Sequence, residues 1–259
     1  MGKTTWAQIS LLFLVLVCSL SRASSVDLER KEYENARDLA LLVLDKYPVE
    51  NYTYVGVGRS VTPVVELLRE LHPNEVKVLP LSNMYHRPSL HSDYMPPLKP
   101  EEENRLFDHF ERFLPTPEQT LGKKVLFLDF VVGGGSAVAT EEYLSKFAKE
   151  KRPDIKPQML IFSPTEKPEK IQAANKNYDV ITTKKYDVIN QRWLFSWFDH
   201  RSQFGSFGFP FEGSEKLKTN HGAERKKFLE HYKSYMKNDT LLLSSHENCG
   251  ALLRKLASN

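Results

Sequence analysis

The sequence predicts an α/β protein: a three-layer parallel sheet of about five strands. Short β-rich runs alternate with helical stretches between residues 52 and 182, the order that builds parallel sheets from strand–helix–strand units. One of those runs, Val125 to Phe130, is apolar at every position but Asp129, as a strand covered on both faces must be.

Each element follows from local pattern. Asp27 to Tyr47 carries Leu28, Ala36, Leu39, Ala40, Val43 and Leu44 on one stripe and stops at Pro48, which makes it an amphipathic helix. Tyr52 to Val57 is a short strand. Gly58-Arg59-Ser60 turns the chain, and a helix through Leu71 opens with Thr62 as N-cap and Pro63 at its first position. Val76 to Leu81 is the second strand. Residues 82–98 mix prolines and aromatics without a period, so they read as a long excursion. Pro100 to Leu114 is a helix with acids in its first turn, where the helix dipole favours them. The third strand, Val125 to Phe130, leads into a loop over Val132 to Ser136 and a helix over Ala137 to Lys149. Gln158 to Ser163 is the fourth strand, Lys167 to Asn175 a short helix, and Tyr178 to Thr182 the fifth strand. Beyond Lys185 the chain turns aromatic and glycine-rich from Trp193 to Phe211. Charged helices follow over Ala223 to Met236 and near His246 to Leu256.

Two strand–loop–helix junctions carry the candidate chemistry. In open α/β sheets ligands bind beyond the carboxyl ends of the strands, at the point where strand order reverses. At the first junction, Gly56, Gly58 and Ser60 let the backbone approach an anion, and Arg59 brings a cation. At the second, Gly133, Gly134 and Gly135 clear side chains from backbone N–H groups, Ser136 adds a hydroxyl, and a helix points its positive end at the same place. Asp129 is the one charge on its strand. Glycines at such turns also serve geometry alone, and Asp129 has a plainer reading as a loop cap.

Val125 to Ser136, VLFLDFVVGGGS, resembles the phosphoribosyl-pyrophosphate (PRPP) motif of the type I phosphoribosyltransferases. That motif is an apolar strand, one or two acids, then a loop rich in Gly and Thr or Ser. Val55-Gly56-Val57-Gly58-Arg59-Ser60 with Thr62-Pro63 resembles the family's pyrophosphate loop, and the likeness spans about residues 50–185 in the family's order. It implies Asp129 at the ribose in the catalytic position. Gly133, Gly134, Gly135 and Ser136 would hold the 5′-phosphate, and Gly58, Arg59 and Ser60 the pyrophosphate. The 82–98 excursion stands where the family's mobile loop lies, and Trp193 to Phe211 would be the hood over the base. A Mg²⁺ ion bridging ribose and pyrophosphate is implied with them. This chain departs from the pattern in two ways: Asp129 lies between Leu128 and Phe130 without an adjacent acid, and the loop core is Gly-Gly-Gly without a hydroxyl.

The first residues bear on the compartment. Lys3, the apolar run Ile9 to Leu20 and Ser21-Arg22-Ala23 compose a secretory signal peptide over residues 1–23. Its apolar run is shorter than the roughly 20 residues that span a bilayer, so no transmembrane segment is expected after cleavage. The protein is then secreted or periplasmic, with an α/β core over 24–185 and a hood and helical extension over 186–259. PRPP is a cytosolic metabolite, so export and the missing acid both weigh against transferase chemistry. The net charge of +3 falls to +1 once Lys3 and Arg22 are removed, too little for nucleic-acid binding by bulk electrostatics. Cys249 is left as the one mature thiol, so packing and not a disulfide holds the fold.

The expected function is an exported phosphoribosyltransferase-like protein that binds a phosphorylated or nucleotide-like ligand over Asp129 to Ser136. The alternative is a non-catalytic secreted interaction protein with the Trp193–Phe211 tract as its partner surface. A phosphoester or sugar hydrolase is a weaker third. His86, Arg87, His91, Asp93, Asp199, His200 and Arg201 are loop candidates that read as solvated residues. His246 and Cys249 lie one helical turn apart without a third ligand, and no zinc spacing or nucleophile elbow is present.

Overall fold

The computed structural model describes residues 30–58, 61–81, 98–131, 135–164, 178–183, 230, 233–237 and 239. Helix α1 covers residues 30–46. It is followed by β1 (Tyr52–Val57), α2 (Thr62–Leu71), β2 (Val76–Leu79), α3 (Pro100–Phe113), β3 (Lys124–Phe130), α4 (Gly135–Lys151), β4 (Gln158–Ser163) and β5 (Tyr178–Thr182). The strands form one five-stranded sheet in the order β2-β1-β3-β4-β5, and every pairing is parallel. The expected α/β class and strand count both hold.

Alternation along the strands divides the core into two layers. Val55, Val125, Phe127, Met159 and Ile161 face α3 and α4, where they meet Leu106, Phe110, Leu144 and Phe147. Tyr54, Leu126, Leu128, Leu160 and Phe162 face the other way, onto Leu39, Val43, Val64 and Leu68 of α1 and α2. Both faces of β3 are therefore covered, which is why its sequence is apolar without a period of two. Phe147 lies edge-on to Phe107 and to Phe110, with ring centroids 5.5 Å apart in each pair. Such pairs add about 0.5–1.5 kcal/mol each beyond their buried area.

Element ends moved from their expected places for identifiable reasons. β2 stops at Leu79 and not at Leu81, because Pro80 has no N–H to give the ladder. Val61, not Thr62, is the N-cap of α2; the Val65 N–H reaches the Val61 carbonyl at 3.1 Å, so Thr62 already lies in the first turn. α4 begins at Gly135, two residues before the expected Ala137.

Part of the C-terminal extension reaches the core. Asp239 is buried; it accepts hydrogen bonds from Tyr33 Oη at 3.0 Å and from Arg37 at 2.9 Å. The Tyr235 ring sits 5.4 Å from Tyr33, and Lys233 pairs with Glu70 at 3.1 Å. Residues 233–237 and 239 therefore dock on the α1 and α2 layer. Burial and the Asp239 carboxylate push the Tyr33 phenol above its ordinary range, so it stays a neutral donor. The signal peptide, the 82–97 part of the excursion, the Lys167–Asn175 helix, the Trp193–Phe211 tract and the His246–Leu256 helix lie outside the described residues. Among the described residues, no helix is long and apolar enough to cross a membrane.

Candidate functional site

The strand order reverses between β1 and β3. β1 has β2 on its other side and β3 has β4, so the connections leaving these two central strands run apart. A crevice opens at such a place, beyond the carboxyl ends. The register pairs Gly56 with Leu128. The same offset brings Val57 abreast of Asp129, so the carboxyl ends of β1 and β3 lie side by side.

The first turn needs its glycine. Gly58 has φ +69°, and a Cβ there would lie 2.7 Å from the Leu81 carbonyl oxygen. Its N–H donates to the Leu79 carbonyl at 3.0 Å, which fastens the turn to the end of β2. Gly56 has another use than the one expected. A Cβ on Gly56 would lie 2.5 Å from Val65 Cγ2, so this glycine lets α2 pack closely on β1 and does not bend the backbone toward an anion. Arg59 and Ser60 lie outside the described residues.

At the second turn, Gly135 and Ser136 are not loop residues. They form the first turn of α4, where N–H groups have no partner within the helix. Val132, Gly133 and Gly134 lie outside the described residues. Asp129 is 7% exposed, and its Oδ1 accepts the Phe130 N–H at 2.7 Å. The plainer capping role is thus realised: the carboxylate braces the exit of β3.

The helices that follow β1, β2 and β3 in the chain differ in their first turns. α3 places Glu101, Glu102 and Glu103 there, and the Glu102 carboxylate accepts the Lys99 N–H at 2.9 Å. Its own acids answer its dipole. α2 has no acid in its first turn and no side-chain cap hydrogen bond, and α4 has no acid in its first turn either. The two helices that follow the glycine turns keep their positive ends.

His109 is a buried polar residue that sequence reasoning missed. It is 8% exposed on α3, with Nε2 2.7 Å from the Pro80 carbonyl oxygen. Burial holds its imidazole below the ordinary value, against the pull of the Pro80 hydrogen bond. The available signal was its place three residues after Leu106, on the apolar stripe. Among the described residues, no group of three His, Cys, Asp or Glu side chains could hold a metal ion. His86, Arg87, His91, Asp93, Asp199, His200, Arg201, His246 and Cys249 all lie outside the described residues.

Comparison with protein-family models, with curated proteins and with solved structures finds no match to this chain. What the fold defines is a class: an open, all-parallel five-stranded α/β protein whose strand order reverses between β1 and β3.

Proposed function

We propose that the protein is an exported, phosphoribosyltransferase-like protein that binds a phosphorylated or nucleotide-like ligand at the carboxyl edge of β1 and β3. What supports this reading is that β1 and β3 are paired at the switch point, and each leads toward a helix whose first turn lacks an acid. Backbone N–H groups at Gly135 and Ser136 would take the phosphate oxygens, and the turn at Gly58, with Arg59 and Ser60, a second phosphate. Asp129, near the carboxyl end of β3, would accept from ribose hydroxyls.

The donor set fits Mg²⁺ only as a ligand-borne ion. Mg²⁺ is commonly held by one or two carboxylates together with substrate phosphates and waters, and Asp129 is the carboxylate the candidate site offers among the described residues. The ion would neutralise phosphate charge. Asp129 also accepts the Phe130 N–H, and an acid adjacent to it in sequence is missing, which favours binding over transfer.

Thermal unfolding of the mature chain with Mg²⁺ and PRPP, pyrophosphate, ribose 5-phosphate or nucleotides tests this reading. At 100 times Kd a ligand stabilises by about 2.7 kcal/mol. For a protein of this size that is roughly 5–10 °C. No shift with any of them sinks the proposal. A PRPP-consumption assay on the same sample separates binding from transfer, and the reading expects binding alone.

A further inference from the structure

We propose that His109 is a positioning residue that sets the Gly58 turn from outside it. β2 ends where Pro80 interrupts the ladder, so the segment Leu79-Pro80-Leu81 needs another hold at its centre. His109 supplies it from α3, across 2.7 Å to the Pro80 carbonyl. A carbonyl only accepts, so Nε2 carries the proton. Both neighbours of Pro80 touch Gly58. The Leu79 carbonyl takes the Gly58 N–H at 3.0 Å, and the Leu81 carbonyl lies 2.7 Å from where a Gly58 Cβ would stand. One buried side chain therefore fixes the middle of a segment whose two ends define the turn. The Phe113 ring, 4.6 Å from the imidazole, holds the ring from the side.

A histidine that only fills the α3 face would tolerate an apolar replacement without disturbing Gly58. A positioning histidine would not, and glutamine, which also carries an N–H donor, would partly replace it. The value of this placement for ligand binding rests on the proposed anion site; the placement itself does not.

Backbone amide hydrogen exchange in the full mature chain separates these cases, because exchange reads local opening. In His109→Phe, the Gly58 N–H exchanges about fivefold to tenfold faster, as losing one hydrogen bond allows. In His109→Gln it stays within about twofold of wild type. The Leu160 N–H, deep in β4, is unchanged in both. Unchanged Gly58 exchange in His109→Phe, or a change that merely tracks Leu160, overturns the proposal. The wild-type protein gives an arm that needs no variant: ring ¹⁵N shifts must show the Nε2–H tautomer, and the Nδ1–H tautomer overturns it.

Pyrophosphate titration then distinguishes the two ideas. Weaker binding in His109→Phe with recovery in His109→Gln supports both. If wild type does not bind but Gly58 exchange still responds, the anion site falls and the positioning role stands. If wild type binds and Gly58 exchange does not respond, the positioning role falls alone.

Discussion

The two edges of one sheet are built on opposite plans. At the amino edge, polar side chains are paired with one another. Thr53 Oγ1 donates toward Glu75, which Lys123 meets at 2.7 Å. Thr120 and Arg152 converge on Asp154, and Arg152 also reaches the Pro115 carbonyl. Tyr47 donates to Asp179, which Lys46 and Gln158 also approach. At the carboxyl edge of β1 and β3, the chain places glycine at the tightest approach and leaves acids out of two helix starts. Hydrogen bonds and ion pairs made within the protein hold it together; donors aimed outward suit a ligand. The difference teaches where this fold keeps its stability and where the proposed anion would bind.

Substitutions should respect that division. The largest expected effect is at Gly58. Gly58→Ala forces a left-handed residue and a clash with a backbone oxygen, and should cost about 2–3 kcal/mol in urea unfolding while abolishing pyrophosphate binding. Asp129→Asn keeps the shape and one acceptor oxygen. It should lower affinity for a ribose-containing ligand about tenfold, as loss of a charged hydrogen bond predicts, and shift the unfolding free energy by less than about 1 kcal/mol. Calorimetric titration beside a denaturation curve reads both. Glu75→Gln, at the opposite edge, should do the reverse: about 1 kcal/mol of stability lost and ligand affinity unchanged. If Glu75→Gln weakens binding as much as Asp129→Asn, the division of labour between the edges is wrong.

The smallest effect concerns pH. Arg152, helped by Thr120, holds the Asp154 carboxyl near about 2, against an ordinary 3.8. A depressed carboxylate stabilises the folded state above its ordinary pKa, and that contribution disappears as pH falls from about 4 through about 2. The Asp154 side chain is 35% exposed, so solvent screening keeps the term below about 1 kcal/mol. Asp154→Asn should therefore be slightly less stable than wild type at pH 7, and the gap should close by pH 2. A gap that stays constant with pH would show that the Arg152 pair does not supply it.

Much of the fold was legible because burial writes itself into composition. β1, β4 and β5 lie where the apolar runs place them, and β3 announced its central place by being apolar on both faces. The ends were less legible. Gly135 reads as loop on propensity, yet it starts a helix, because first-turn N–H groups need no intrahelical partner and glycine there loses little. Gly56 looks like a bend, but its cause is a side chain nine residues on, Val65, which only the packed structure reveals. His109 was hidden among aromatic neighbours, since its partner is a backbone carbonyl that leaves no mark on the sequence. Of the candidate site, the glycines and Asp129 could be picked out in advance. That β1 and β3, the strands before them, lie side by side depends on strand order, which no local pattern encodes.

¹⁵N amide shifts during a pyrophosphate titration test the proposed anion cradle between β1 and β3 most directly. Saturable shifts centred on Gly58, Gly135 and Ser136, with the Thr53, Lys123 and Asp154 amides unmoved, are the predicted result. Shifts that scatter over surface lysines, gather at the amino edge or fail to saturate would contradict it.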